Sequence, residues 1–178
     1  IRREILSKAE IIAATIKLDN LLPLEHKAAD LTKKPYQELR QLLVAIKESS
    51  PAIIDLYILF KQGESIGFVV DGAAENSTDY TPPGLMYKLP PHVLLELFQR
   101  KNSLTAGPYR DEWGEFISSF ISLTNPQNGE ILGVLGVDIQ ASSWKQEITR
   151  NRLTIILFDI LIAMIIVALF LGKEHALL

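Results

Sequence analysis

The run Leu153–Leu171 limits what this chain can fold into more than any other stretch. It reads LTIILFDILIAMIIVALFL, with one ionisable side chain, Asp159, and neither Gly nor Pro. At about 1.5 Å per helical residue it reaches just under the roughly 30 Å of a bilayer's hydrocarbon core. Such a helix has no polar face to turn to water, so it belongs in lipid or, failing that, buried in a protein core. The expectation is a membrane-tethered domain, with a transmembrane helix over 153–172 and the start of a following segment at 173–178. A carboxylate at Asp159 would cost about 2.5–3.5 kcal/mol inside the bilayer. It is therefore expected to face protein, as in a helix–helix contact, or to reach back towards the interface.

The residues before Leu153 suffice for one domain with its own core. Lys and Arg total 18 against 21 Asp and Glu, without a basic stripe, which argues against nucleic acid as a partner. There is no cysteine, hence no disulfide framework and no thiol chemistry. His26, His92 and His175 lie far apart, outside any metal-ligand spacing. No nucleophile–base set, phosphate loop or cofactor motif stands out, so no enzymatic activity and no cofactor are expected of this stretch. The chain opens at Ile1 without an initiator Met and closes soon after the apolar run, from which the expectation is a piece of a longer protein.

Helices come first. Ile5, Ala9, Ile12 and Ile16 recur at steps of four and three, predicting a helix from Arg2 to about Leu22 that Pro23 ends. A second helix is expected from Pro35 through Leu39, Leu42, Leu43 and Ile46 to Ser49-Ser50-Pro51. Then the character changes to short runs rich in Ile, Phe, Tyr and Val. Ile53–Phe60 and Ser65–Asp71 flank Lys61-Gln62-Gly63-Glu64 as a hairpin. A long excursion follows from Gly72 to about Asn102, with a rigid turn at Tyr80-Thr81-Pro82-Pro83-Gly84 and a short helix opened by Pro90-Pro91. Further strands are expected at Leu104–Tyr109, Glu115–Leu123 and Glu130–Ile139, the last two joined by Asn125-Pro126-Gln127-Asn128-Gly129. Ser143 and Gln146 form a capping box for a helix running into the membrane segment. Short links between consecutive strands imply an α+β fold, a mainly antiparallel sheet with helices on one side.

Three strings in this order, Gly107-Pro108-Tyr109-Arg110-Asp111-Glu112-Trp113-Gly114, Phe116-Ile117-Ser118-Ser119-Phe120 and Gly133-Val134-Leu135-Gly136-Val137-Asp138-Ile139, resemble Cache (PDC) sensor domains. Asp79-Tyr80-Thr81-Pro82-Pro83-Gly84 resembles the segment that precedes that block in the family. The resemblance implies a PAS-like, extracytoplasmic fold with a long N-terminal helix, a five- to six-stranded antiparallel sheet, and a small-molecule pocket between sheet and excursion. It implies a place in a sensor histidine kinase, a chemoreceptor or a diguanylate cyclase, whose output domain would lie beyond Leu178. The expected organisation is a helical segment at 1–50, a ligand-sensing core at 51–142, a juxtamembrane helix at 143–152 and the membrane helix after it. The stripe Ile5–Ile16 reads either as a homodimer seam or as the face that packs on the chain's own sheet.

The candidate ligand-binding residues are Asp138, Tyr109, Trp113, Tyr87, Tyr80, Tyr57 and Ser118. Strand alternation puts Val134, Gly136 and Asp138 on one face and Leu135, Val137 and Ile139 on the core face. Gly136 is expected to leave open space beside Asp138, and an ionised carboxylate in such a pocket suits an amine or another cation. Asp138 could equally cap the following helix or bond backbone. Tyr109 and Trp113 could wall the pocket or pack in the core. Tyr57 and Phe68 could line its floor, and Ser118 could offer a hydroxyl or bond locally. In amino-acid-binding members of the family a Tyr of the third strand and an Asp ending the last strand hold the ligand amine, positions that Tyr109 and Asp138 match. Those members also carry an Arg and a Trp in the excursion, where this chain has Leu85, Met86, Tyr87 and Lys88. The expected ligand is thus a small amine, or another small solute, at least as much as an α-amino acid. A ligand-free dimerisation or partner-docking module is the rival reading.

Orientation is contradictory. Lys145, Arg150 and Arg152 precede the apolar run and Lys173 and His175 follow it, which by the positive-inside tendency puts the folded domain in the cytoplasm. The family resemblance puts it outside the cell membrane.

Overall fold

The stripe Ile5, Ala9, Ile12 and Ile16 turns inward, each residue less than a tenth exposed, and this fixes how the first helix lies. In a computed structural model, which describes residues 2–100, 102–110, 114–141, 149 and 152–165, helix α1 spans Arg2–Thr15. It is shorter than its periodicity predicts, because the chain tightens into a 3₁₀ turn at Leu18–Asn20 well before Pro23. Helix α2 spans Lys34–Ser49, with Pro35 in its first turn, where a missing N–H costs nothing. Between them a loop is organised by Asp30. Its buried carboxylate accepts the backbone N–H of Glu25 at 3.1 and 3.0 Å and of Lys27 at 3.2 Å, and pairs with Lys33 at 2.8 Å.

Five strands follow: β1 Asp55–Gln62, β2 Ser65–Asp71, β3 Ser103–Arg110, β4 Glu115–Thr124 and β5 Ile131–Gln140. They form one antiparallel sheet in the order β2-β1-β5-β4-β3. The β1–β2 hairpin closes through Gly63 and Glu64, Gln62 pairing with Ser65, and Gly63 takes the positive φ (60°) that such a turn demands. Pro108 is tolerated because β3 is an edge strand, where a bulge between Ala106 and Tyr109 absorbs it. The short helix α3, His92–Arg100, precedes β3.

The expectation of helices on one side only is corrected. Both faces of the sheet are covered, because β1, β2, β4 and β5 are apolar at successive rather than alternate positions. Leu56, Ile58, Val69, Leu135 and Val137 pack beneath Ala9, Ile12, Leu39 and Leu43 of α1 and α2. On the other face Tyr57, Leu59, Phe68, Phe120 and Val134 meet Tyr87 from the excursion and Leu94 and Leu97 from α3. The stripe of α1 is thus spent on the chain's own core.

The excursion also shields the outer edge of β2. Gly84 N–H donates to the Phe68 carbonyl (2.8 Å), Phe68 N–H to Leu85 (2.9 Å) and Tyr87 N–H to Ile66 (2.8 Å). This rudimentary pairing, centred on Gly67 and Met86, blunts an exposed edge and turns Tyr87 onto the second core.

Residues Ile1–Ala141 form one compact unit and Ser142–Leu178 another. In the second, 152–165 is helical. Among the described residues no helix is long and apolar enough to cross a membrane. The expected span of 153–172 extends beyond them, as do the expected capping box at Ser143–Gln146 and much of the juxtamembrane helix.

Candidate functional site

Register places the site. β1 and β5 pair Asp55 with Asp138 and Tyr57 with Gly136, while β4 sets Ser118 opposite Asp138 from the other side. Asp138 is almost fully buried. The Tyr57 hydroxyl donates to both of its carboxylate oxygens, at 3.2 and 3.0 Å. Burial, and then the nearby Asp138 charge, push the Tyr57 phenol well above its ordinary pKa, so it stays a donor.

The space expected beside Gly136 is filled, which corrects the sequence reading. The Tyr57 ring lies across this glycine, and a Cβ there would overlap the ring. Glycine at 136 admits the cross-strand tyrosine that reaches Asp138; it does not leave a void.

What remains is a cavity of about 20 Å³, bounded by Asp55, Tyr57, Phe68, Asp71, Asp79, Thr81, Tyr87, Phe116 and Asp138. That is room for one water-sized group. Four of the nine boundary residues are carboxylates and none is basic. Asp55 pairs with Lys47 of α2 at 2.9 Å. Asp71, at the end of β2, accepts the N–H of Ala73 (2.7 Å) and of Thr81 (2.6 Å), pinning the excursion to the sheet. Burial raises the Asp71 pKa, opposed by those two backbone donors. Phe68 stands edge-on to Tyr57 with ring centroids 5.5 Å apart, and Tyr87 lies 5.4 Å from Phe68. No group of three or more His, Cys, Asp or Glu among the described residues is arranged to hold a metal ion. The wall is an anionic, aromatic-sided one.

Of the candidates, Asp138, Tyr57 and Tyr87 meet at this cavity. Tyr109 and Ser118 do not bound it. Their hydroxyls share a 2.6 Å hydrogen bond, with Ser118 fully buried and Tyr109 lining a separate groove with Pro91, His92 and Val93. Tyr80 turns the other way, its hydroxyl 3.4 Å from that of Tyr36 and its ring beneath the Arg40 guanidinium at 5.3 Å. The turn that carries it exposes Thr81 and Asp79, not Tyr80, to the cavity. Trp113 lies outside the described residues. Leu85 and Met86 are exposed.

Asp55, Asp71, Asp79, Thr81 and Phe116 were not among the candidates. For Asp55 a signal existed, since it shares the face of Tyr57 two residues on. Asp71 reads in sequence as a strand-ending turn residue, and only the folded excursion reveals its second role.

No protein-family model matches the sequence, and no curated protein matches it. Among solved structures it is similar to the sensory domain of the Campylobacter jejuni chemoreceptor Tlp3, at 15% identity and a TM-score of 0.48 over 79% of this chain and 52% of that one. The ligand-binding domain of Tlp3 in complex with L-valine matches at 16% identity and 0.48, over 79% and 51%. The chain thus spans about half the length of these domains. The extracellular domain of the histidine kinase mmHK1S-Z2 matches at 13% identity and 0.39, over 79% and 59%.

Proposed function

We propose that this chain is the extracytoplasmic sensor domain of a membrane receptor, and that it recognises a small cationic solute through an amine or similar group. Bound state passes along the C-terminal helix, spanning 153–172, to an output domain, a histidine kinase in the favoured reading and a diguanylate cyclase in the other. The observation that carries the ligand class is the boundary of the cavity: four carboxylates, two of them buried and Asp55 half-buried, beside four aromatic rings and, among the described residues, without a basic one. Carboxylates so placed give charge-assisted hydrogen bonds to an ammonium, and ring faces favour the same charge. An amino acid's carboxylate would find no cation among the described residues of this boundary. The volume fits a head group alone, so the rest of a ligand would extend out of the cavity or open it.

The size of the cavity also favours a second reading. A ligand-free dimerisation or docking module would fill its pocket with side chains, as the Tyr57 ring fills the space over Gly136. The thermal midpoint of the full chain in detergent, titrated with amines, amino acids and small carboxylates, separates the two. A saturating rise with amines, lost in Asp138→Ala, is expected of the sensor. No rise with any compound favours the docking module.

A further inference from the structure

Helix α2 sets a cation against one carboxylate of the Asp138 cavity, from outside the boundary itself. Lys47, in the last turn of α2, places Nζ 2.9 Å from Oδ1 of Asp55, the two side chains 23% and 19% exposed. Asp55 bounds the cavity and is the direct cross-strand partner of Asp138. Like charges opposed across an antiparallel ladder repel. Tyr57 answers Asp138 with a hydrogen bond, and Lys47 answers Asp55 with a full positive charge. An ammonium on a carboxylate of this boundary is the same contact that a cationic ligand would make.

We propose that Lys47 is a tethered counter-ion which an incoming ammonium group displaces from Asp55. This rests on the cation-sensing reading and adds to it the device by which occupancy reaches a helix. Displacement is cheap for two reasons. A partly exposed ion pair is weak, and the freed Lys47 stays in the last turn of α2, whose carbonyl ends favour a cation. It is also local. Tyr36, Leu39 and Leu43 hold the body of α2 in the core, so what is released is the helix end next to β1.

Calorimetric titration of the full chain in detergent with methylammonium, isobutylamine and 1,4-diaminobutane tests this. Lys47→Gln, and Lys47→Met with its retained aliphatic stem, are expected to bind at least one of these amines about fivefold more tightly than wild type. Lys47→Arg is expected to stay near wild type. Lys34→Gln, which removes an exposed lysine from the same helix, is expected to change nothing, which separates displacement from a general charge effect. Unchanged or weaker binding in both Lys47→Gln and Lys47→Met, with binding abolished by Asp138→Asn, overturns the displacement and leaves the sensor standing. A gain as large in Lys34→Gln as in Lys47→Gln also overturns it. No binding of any amine by wild type or either neutral Lys47 variant overturns both readings.

Discussion

Tyr57 packs its ring against Gly136 and hydrogen-bonds both oxygens of Asp138, two residues further along the same strand. One side chain therefore fills the gap on β5 and orients the buried carboxylate at its end.

Removing that hydroxyl tests the relationship. Tyr57→Phe keeps the ring and its packing but loses a hydrogen bond to a charged group. It is expected to lower stability by about 1.5–3 kcal/mol in urea unfolding. In an Asp138→Asn background the loss should shrink, and an unchanged loss would mean that the hydroxyl works elsewhere.

Gly136→Ala introduces a methyl group into the Tyr57 ring. Overpacking of this kind costs about 1–3 kcal/mol. Pairing it with Tyr57→Val should recover part of that cost, which a backbone effect at 136 would not. Urea midpoints of the two single variants and the double variant decide it.

Asp30 and Asp71 should titrate with opposite signs. Burial would raise the Asp30 pKa, but hydrogen bonds from Lys33 and the backbone of Glu25 and Lys27 outweigh it and hold the group below its ordinary value of 3.8. Its contribution is therefore full above that value and lost as pH falls through the lower folded value. For Asp71 burial wins, and the folded pKa lies above 3.8. There the folded state holds its proton longer, so stability falls as pH rises from 3.8 through the raised value. Measured between acid and neutral pH, the stability gap between wild type and Asp30→Asn should widen with rising pH. The gap between wild type and Asp71→Asn should move the other way.

The chain has no cysteine, so an introduced one reports topology cleanly. Gln127→Cys, in the exposed turn between β4 and β5, should react with a membrane-impermeant maleimide added outside intact cells if the domain is extracytoplasmic. Labelling only after lysis would place it inside, as the flanking charges alone suggest.

Local patterns made most of the fold legible. The predicted strands begin and end within two residues of those observed, because short runs of β-branched and aromatic residues bounded by Gly, Pro and Asn are short-range signals. The end of α1 was less so, since a 3₁₀ turn after Thr15 continues the same apolar spacing. Pairing decided what could not be read. Whether Gly136 is a void depends on which residue β1 sets against it, and that register comes from strands far apart in sequence. Asp138 could be singled out as a lone carboxylate on an apolar strand. That Asp55 stands opposite it could not be read before β1 was known to lie between β2 and β5. Tyr80 lies away from this cavity for a related reason: within a turn, neighbouring residues face opposite sides, and its contacts are with Tyr36 and Arg40.

β5 is the middle strand of the five and is covered on both faces, and Asp138 stands near its end. Amides so placed exchange with solvent only when the domain opens as a whole, whereas loops and edges exchange through small local fluctuations. A ligand held at Asp138 would therefore slow exchange along β5 and β1 together and far from itself, as the footprint of a shifted global equilibrium.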